Sequence, residues 1–334
     1  MTADNWNPGL LLETSGNYWS ACAIHAGVDL GLFTALGDVT RSPAQLAGSL
    51  DLDERGVQAL LNALAALRLL EKRDGKFACT EFSKTCLSKD SPHYLGYIIQ
   101  HHHHLMAAWQ QLAGAIRTGN TPVRSNGDRY ADAEWLESFL MGMFNLASAL
   151  APDIAGSIDL FGREHLLDLG GGPGTYAIYF CRQNPQLQAS VYDLPDTRPF
   201  AEKTIQRFDL ADRIKFIAGD FLQHDIDGSF DVVWLSHILH SADADACQLI
   251  LDRAVAAMRP GGMILIHDFI LDNSMDQPLY PALFSLNMLL NTPGGQAYSE
   301  EQIMGFLDRA GVRDLQRHPF AGPNASGIII GVID

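Results

Sequence analysis

Residues 166–180, LLDLGGGPGTYAIYF, decide the fold class of this sequence. An apolar segment runs into a glycine-rich turn, and a second segment with helical spacing follows it. A strand, a glycine turn and a helix in this order form the ligand-binding corner of open α/β sheets. The glycines have the spacing Gly-x-Gly-x-Gly and Thr175 follows them, so neither the dinucleotide fingerprint nor a phosphate-binding loop is matched.

The carboxyl half of the chain continues this pattern. Its short apolar runs, several of them separated by helical segments, are EHLLDLG (164–170), QASVYDL (188–194), RIKFIAGD (213–220), FDVVWLS (230–236) and GMILIHDFIL (262–271). Strands that alternate with helices predict a parallel sheet covered on both faces. The last runs, 312–320 and 325–334, predict a hairpin. Residues 161–334 are therefore predicted to form a Rossmann-like α/β domain, parallel except for that C-terminal hairpin.

The amino half predicts a different fold. Residues 1–95 read as a small winged-helix-like domain, in which Ser42-Pro43 starts one helix and residues 54–72 carry leucines at helical spacing. Asp74-Gly75 is a turn signal between two strand-like pieces. Residues 96–160 predict a helical region that links the two domains.

The composition restricts the kinds of molecule that this protein can bind. The 334 residues carry a formal net charge of −16, with 39 acidic against 23 basic side chains. This balance disfavours nucleic acid and anionic membranes as partners. The five cysteines are scattered, which suggests neither a disulfide framework nor a zinc ribbon. We see no signal-peptide pattern and no uncharged apolar run long enough to span a membrane, so a cytoplasmic location is expected.

Acidic residues at three successive strand ends indicate the ligand. Asp168 precedes the glycine turn, Asp193 ends the second strand and Asp220 ends the third. A carboxylate before the turn suits a cationic ligand better than a pyrophosphate, and an acid at the second strand end can accept both hydroxyls of a ribose. Together they favour a positively charged nucleoside without phosphate, a description that S-adenosylmethionine fits.

The sequence resembles the S-adenosylmethionine-dependent O-methyltransferases of the plant and bacterial small-molecule type. The matching pieces are LDLGGGPGTY (167–176), VYDLPDT (191–197), AGDFL (218–222), SHILHSADADACQLIL (236–251), RPGGMILIHDFIL (259–271) and NTPGGQAYSEEQI (291–303). They cover the carboxyl half in order, and the amino half looks like the dimerisation domain of the family.

The resemblance implies a role for each of several residues. Gly170, Gly172 and Gly174 would approach the methionine part of the cofactor, Asp193 with Leu194 would hold its ribose, and Asp220 with Phe221 its adenine. Ser236 takes a position where many plant members have a cofactor-contacting lysine. His240 would be the catalytic base and Asp268 its carboxylate partner. Ala297 stands where plant members place a second acid beside the base.

The two histidines of residues 236–241, SHILHS, carry the proposed chemistry. A phenol has a pKa near ~10 and an imidazole near ~6.5, so proton removal from the acceptor has to be coupled to attack. We expect His240 to be the base, and His237 to face the cofactor or the pocket wall. A metal site is not predicted, because spacing fixes no third ligand for this pair.

The resemblance also implies where the acceptor binds. The run His101–His104 lies in a helical stretch, with His101 and His104 on one face. These two histidines, Met143, Met288 and Asn291 are expected to line the acceptor pocket, although methionines at helical spacing are often core residues.

The expected function is methylation of a hydroxyl on a small aromatic or polyketide-like molecule by a homodimer. Apolar amino-terminal helices favour the dimer. Two alternatives stay open from the residues alone. One is a winged-helix regulator that senses S-adenosylmethionine, and the other is a related enzyme with another acceptor atom or reaction.

Overall fold

The chain separates into two compact units. In this computed structural model, which describes residues 6–122 and 132–334, the first unit comprises the described residues of Met1–Leu105 with Glu137–Asn145. The second unit comprises those of Met106–Leu136 with Leu146–Asp334. Residues 96–160, predicted as one linking region, are thus shared between the two units.

The first unit consists of short helices and one hairpin. Its elements are α1 (Pro8–Gly16), α2 (Tyr18–Asp29), α3 (Leu32–Leu36), α4 (Pro43–Leu50), α5 (Glu54–Ala66), β1 (Leu70–Arg73), β2 (Lys76–Cys79) and α6 (Glu81–Leu87). The Ser42 side chain accepts from Gln45 N–H and the Gln45 side chain from Ser42 N–H, a capping box that starts α4. Asp74 and Gly75 both have positive φ, which is the backbone that a two-residue hairpin turn requires.

Helix α5 is shorter than its leucine spacing predicts. We expected a helix over residues 54–72, but it ends at Ala66 and Arg68 adopts a left-handed backbone with φ of 61°. Leu70 then begins β1, where it pairs with Cys79 and is buried. The apolar side chain at this position therefore serves a strand, which the helical spacing alone could not distinguish.

In the described residues of the predicted linking region the helices are α7 (Gly96–Trp109), α8 (Leu112–Thr118) and α9 (Ala133–Ser157). Among the described residues α9 is the one helix long and apolar enough to cross a membrane by length and composition. Its residues Ala151, Ile154 and Ala155 are buried in a hydrophobic cluster on the sheet of the second unit. Part of the apolar surface of α9 is therefore buried in the core of the second unit.

The second unit is built on a mixed sheet. Its strands are β3 (His165–Leu169), β4 (Gln188–Asp193), β5 (Ile214–Ala218), β6 (Phe230–Ser236), β7 (Met258–Leu271), β8 (Tyr298–Ser299), β9 (Arg313–Arg317) and β10 (Ser326–Val332). Within the part of the chain that the structure describes, the spatial order is β5-β4-β3-β6-β7-β10-β9, with β8 beside β7. Strands β3 to β8 pair in parallel, and β9 and β10 form the predicted antiparallel hairpin.

Helices cover both faces of this sheet. They are α10 (Thr175–Gln183), α11 (Arg198–Arg207), α12 (Ala244–Ala256), α13 (Leu279–Asn291) and α14 (Glu300–Arg309). Successive side chains of a strand point to opposite faces, so Val233 and Leu235 join one core cluster while Trp234 joins the other. The predicted α/β architecture is confirmed.

The strand order of the sheet also indicates where a ligand would bind. Strand order reverses between β3 and β6, since β4 and β5 lie on one side of β3 and β7 on the other side of β6. Ligands of open α/β sheets bind outside the carboxyl ends of the strands at such a reversal. The glycine turn follows β3 there, and the segment with His237 and His240 follows β6.

Candidate active site

The glycine turn after β3 allows close approach to the backbone. Gly170, Gly172 and Gly174 have φ of 70°, 53° and 76°, a region that side chains with a Cβ rarely adopt. A Cβ on Gly170 would lie 2.3 Å from Cδ1 of Ile238, whereas one on Gly172 would meet nothing within 4 Å. Gly170 is therefore required by packing against the segment after β6, and Gly172 opens onto free space.

Asp168 lies beneath this turn with one oxygen unused. Its side chain is 1 % exposed, Oδ2 accepts a hydrogen bond from the Ala177 N–H at 3.1 Å, and Oδ1 has no hydrogen-bond partner among the described residues. Burial raises the pKa of Asp168 to about 7, and the charge of Asp193 adds to the rise. An unpartnered buried carboxylate oxygen is costly unless a ligand contacts it, and a cation is the ligand it favours.

Asp193 ends β4 and joins the same turn. Its Oδ2 accepts from the Gly172 N–H at 2.8 Å, and its Oδ1 accepts from the Leu194 N–H at 2.7 Å. Burial raises the pKa of Asp193, and these hydrogen bonds oppose the rise. Oδ1 also accepts from the Thr197 hydroxyl at 3.3 Å, whereas Oδ2 keeps a further lone pair, so the side chain remains able to accept a hydroxyl group.

Asp220 and Phe221 follow β5 at the next strand end. The Asp220 side chain accepts from the Leu222 N–H at 2.8 Å and fixes the turn. Phe221 is half-buried, and its Cε1 would lie 3.6 Å from a Cβ on Gly170. The aromatic ring therefore borders the glycine turn, where a flat base could pack against it.

Ser236 ends β6 and belongs to a buried polar group that the sequence did not indicate. Its hydroxyl lies 3.0 Å from Nδ1 of His267, and the Tyr176 hydroxyl lies 3.4 Å from the same nitrogen. Burial lowers the pKa of His267 well below its usual value, and the charge of His237 lowers it further. His267 is therefore neutral at pH 7. His267 lies on β7 and its two neighbours lie on β6 and α10, so only the folded unit brings the three together.

His240 and Asp268 form a close pair at the ends of β6 and β7. Nδ1 of His240 lies 2.6 Å from Oδ1 of Asp268, and the two residues are 9 % and 2 % exposed. Nδ1 of His237 lies 3.5 Å from the same oxygen, an ion-pair distance without a hydrogen bond. Burial alone would raise the pKa of Asp268, but the charges of His240 and His237 and the hydrogen bond with His240 lower it well below its ordinary value. The carboxyl is therefore ionised.

Aromatic side chains surround this pair. The ring of Phe284 on α13 meets the His240 ring edge to face at 4.8 Å, and Phe269 lies 4.7 Å from Phe284 and 4.4 Å from His237, all between ring centres. Tyr280 lies 4.9 Å from Phe269 and is 39 % exposed. The aromatic wall formed by Phe269, Tyr280 and Phe284 was not predicted from the sequence, although the spacing of Tyr280 and Phe284 by one helical turn indicated that the two rings share a helix face.

The remaining acceptor candidates of the second unit lie on α13 or after it. Met288 is buried, and the Asn291 amide donates to the Asn287 carbonyl at 2.8 Å and to the Asn287 side chain at 3.0 Å. Trp109 donates to the same Asn287 side chain at 3.0 Å. Ala297 is fully buried.

The candidates of the first unit lie on α7 and α9. His101 is buried with its ring centre 5.3 Å from that of Phe139, and Nδ1 of His104 lies 3.1 Å from the Ser138 hydroxyl. His102 and His103 are exposed, as the helical spacing of the run predicts. Met143 on α9 is half-buried.

These features define a site for a small cationic nucleoside at the mouth of a parallel sheet, beside a buried carboxylate–imidazole pair. A family model described as an O-methyltransferase domain matches residues 109–313, and an O-methyltransferase dimerisation domain matches residues 12–89. The chain belongs to the O-methyltransferase family. It is an S-adenosylmethionine-dependent methyltransferase, and the family expected from the sequence is confirmed.

Individual relatives cover the chain from end to end. The 3-hydroxy-5-methyl-1-naphthoate 3-O-methyltransferase of Streptomyces sahachiroi is 32% identical over 97% of this chain and 95% of its own. The tetracenomycin polyketide synthesis 8-O-methyl transferase TcmO of Streptomyces glaucescens is 29% identical over 96% of each chain. The crystal structure of human N-acetylserotonin methyltransferase in complex with SAM has a TM-score of 0.87 at 25% identity, covering 100% of this chain and 99% of that one.

The residues at the strand ends fit this cofactor. The orphaned Oδ1 of Asp168 suits a positive charge, and the open space at Gly172 leaves room beside the backbone. The described acids at the ends of β3, β4 and β5 give the mouth the negative lining that a cationic nucleoside needs.

Proposed function

We propose that this enzyme methylates a hydroxyl oxygen of a small aromatic or polyketide-like molecule, with His240 as general base and Asp268 as the residue that positions it. The single observation that carries this proposal is the 2.6 Å contact between Nδ1 of His240 and Oδ1 of Asp268, in a pair that is almost fully buried. A carboxylate bound at Nδ1 keeps the ring proton there and leaves Nε2 as an acceptor.

The chemistry needs such a base. Bound S-adenosylmethionine supplies a methyl group that is activated for attack by an oxygen nucleophile. Nε2 of His240 takes the hydroxyl proton as the oxygen attacks, and the ionised Asp268 stabilises the imidazolium that forms. Positioned base catalysis contributes ~10²–10⁴-fold, and alignment of the two reactants contributes more.

The cofactor-holding residues are proposed from their positions around the glycine turn. Asp168 faces the cationic part, Gly170, Gly172 and Gly174 let the methionine part approach, and Asp193 with Leu194 holds the ribose. Asp220 and Phe221 hold the adenine, and Ser236 and His237 border the cofactor on the β6 side. Their place at neighbouring strand ends supports these roles.

The acceptor class is proposed from two supports. Phe269, Tyr280 and Phe284 form an aromatic wall beside His240, and aromatic rings favour edge-to-face and offset packing with a planar molecule. One bacterial relative is named for a hydroxynaphthoate, and the other is named as an O-methyl transferase of polyketide synthesis. His101, His104, Met143, Met288 and Asn291 remain proposed acceptor-lining residues.

A cytoplasmic homodimer is proposed as the working form, with neither nucleic acid nor membrane as partner. The family model of the dimerisation domain supports the dimer. Large apolar side chains on and beside α1 and α2 are exposed within the first unit, among them Leu12 at 72 % and Trp19 at 69 %. Several large exposed apolar side chains close together in sequence favour an interface at these helices. The net charge of −16 supports the exclusion of polyanions.

A screen of phenolic acceptors with methyl-labelled S-adenosylmethionine tests the proposal. We expect a mass gain of one methyl group on the oxygen of hydroxynaphthoates or polyketide phenols, lost when the hydroxyl is replaced by hydrogen. Methylation at carbon or nitrogen, or a product without the label, would contradict an oxygen acceptor.

A further inference from the structure

One donor atom from each of His237, His240 and Asp268 lies within 4.8 Å of the other two. Nδ1 of His240 and Nδ1 of His237 lie 2.6 Å and 3.5 Å from Oδ1 of Asp268. A divalent ion with bonds of about 2.0–2.1 Å holds neighbouring donors about 3.0–3.4 Å apart. The two measured distances bracket that spacing, and the donor atoms of the two histidines lie no more than 4.8 Å apart.

The unpartnered ring nitrogen of His237 supports a role for this side chain at the same point. Its φ of 57° lies in the left-handed region, which histidine adopts more often than most residues with a Cβ, and its N–H donates to the His267 carbonyl at 2.8 Å. Nδ1 of His237 is buried and makes no hydrogen bond within the described residues, although it lies beside a carboxylate. A buried ring nitrogen that makes no hydrogen bond and lies beside a carboxylate is available to a ligand.

We propose that His237, His240 and Asp268 form a reversible and inhibitory binding site for one divalent transition-metal ion of the Zn²⁺, Co²⁺ and Ni²⁺ class. Two imidazoles and one carboxylate suit these ions better than Mg²⁺ or Ca²⁺, which prefer oxygen ligands. The sequence offered only the histidine pair, and the third donor comes from β7 through the parallel pairing of β6 with β7.

The chemistry of His240 explains why the ion inhibits. Coordination at Nδ1 replaces its hydrogen bond to Asp268, and the single proton of the neutral ring then resides on Nε2. If the ring was an imidazolium beforehand, one proton is released to solvent. In either case Nε2 carries a proton and cannot accept one from the acceptor hydroxyl. The metal and the substrate proton therefore compete for one base.

Cobalt binding to the metal-stripped full-length protein tests the site without any assay of activity. We expect one Co²⁺ per chain with visible d–d absorption, and at least tenfold weaker binding in His237→Asn and in Asp268→Asn. Asparagine accepts the left-handed backbone of position 237. If His237→Asn does not fold, His237→Gly also removes the imidazole and accepts the same backbone. Circular dichroism establishes folding of each protein.

The exposed histidines of α7 provide the matched control. A His102→Ala/His103→Ala double variant removes imidazoles from the run at 101–104 and should bind Co²⁺ as the unaltered protein does. Zn²⁺ should also inhibit methylation reversibly, with activity restored by EDTA and no inhibition by Mg²⁺. Binding that survives both Asn variants, binding that the double variant abolishes, or an absence of binding at millimolar Co²⁺ overturns the proposal.

Discussion

Oδ1 of Asp268 lies 2.6 Å from Nδ1 of His240, and the carboxylate is buried and ionised. The pair joins the ends of two adjacent parallel strands, so the sheet itself fixes its geometry. This arrangement orients one ring nitrogen and leaves the other for the acceptor, which is the physical basis of the proposed base.

Asp268→Asn tests how the ring is oriented. The asparagine amide can donate an N–H to Nδ1 of His240 and so place the ring proton on Nε2, the wrong nitrogen for a base. We expect kcat to fall about 10²-fold or more while the Kd for S-adenosylhomocysteine changes little. Asp272→Asn, at an exposed acid just after β7, is the matched control and should keep its rate. An unchanged kcat in Asp268→Asn would remove the orienting role.

The pH dependence of cofactor binding tests Asp168. Burial raises its pKa to about 7 in the free protein, and the proposed cationic ligand favours the ionised form. The affinity for S-adenosylmethionine should therefore rise as pH increases through about 7 and level off above it, and fall up to about tenfold per pH unit below it. Calorimetry across pH 5.5–8.5 measures this.

Asp168→Asn supplies the control for that titration. An amide at this position does not ionise, so affinity should be weaker and should lose its dependence on pH near 7. Retention of the same pH profile in the variant would assign the titration to another group and contradict the proposed role of Asp168.

Gly170→Ala tests the packing between the glycine turn and the segment after β6. The new Cβ would meet Ile238 at 2.3 Å on a backbone with φ of 70°. We expect at least tenfold weaker cofactor binding and a lower kcat, because Ile238 is two residues from His240. Gly261→Ala has a similar φ of 75° but open space around its Cβ, so it separates backbone strain from the clash. Equal effects of the two substitutions on cofactor binding would contradict this reasoning.

A Leu12→Asp/Trp19→Asp double variant tests the dimer. The two apolar side chains are exposed in the first unit, and charges on a buried interface are strongly unfavourable. Sedimentation should show a dimer for the unaltered protein at micromolar concentration and a monomer for the variant. Phe161→Asp, at a side chain that is 92 % exposed in the second unit, is the control and should remain dimeric. A monomeric unaltered protein would contradict the proposal.

Local sequence patterns were sufficient to predict much of the fold. The strands β3 to β7, the glycine turn and the C-terminal hairpin each follow from alternating or continuous apolar residues and from turn residues nearby in sequence. The end of α5 was not predictable, because Leu70 continues the helical spacing although it belongs to β1. The short helix α6 was likewise hidden in a segment that we read as strand-like.

The site was predictable only where its residues follow strands. Asp168, Asp193 and Asp220 could be placed at one edge of the sheet because parallel strand ends meet there. The contacts of His267 with Ser236 and Tyr176, and the packing of Phe284 on His240, join elements distant in sequence. Such pairs depend on the register of the sheet and the path of α13, which local patterns do not encode.

The His240→Ala variant is the most direct test of the proposal that His240 is the general base. The measurement is kcat for a methylated phenolic acceptor beside the Kd for S-adenosylhomocysteine, with His224→Ala as a control at an exposed histidine. We expect kcat to fall about 10²–10⁴-fold while the Kd stays within about twofold. An unchanged kcat, or equal losses in rate and affinity, would contradict the assignment of His240 as the base.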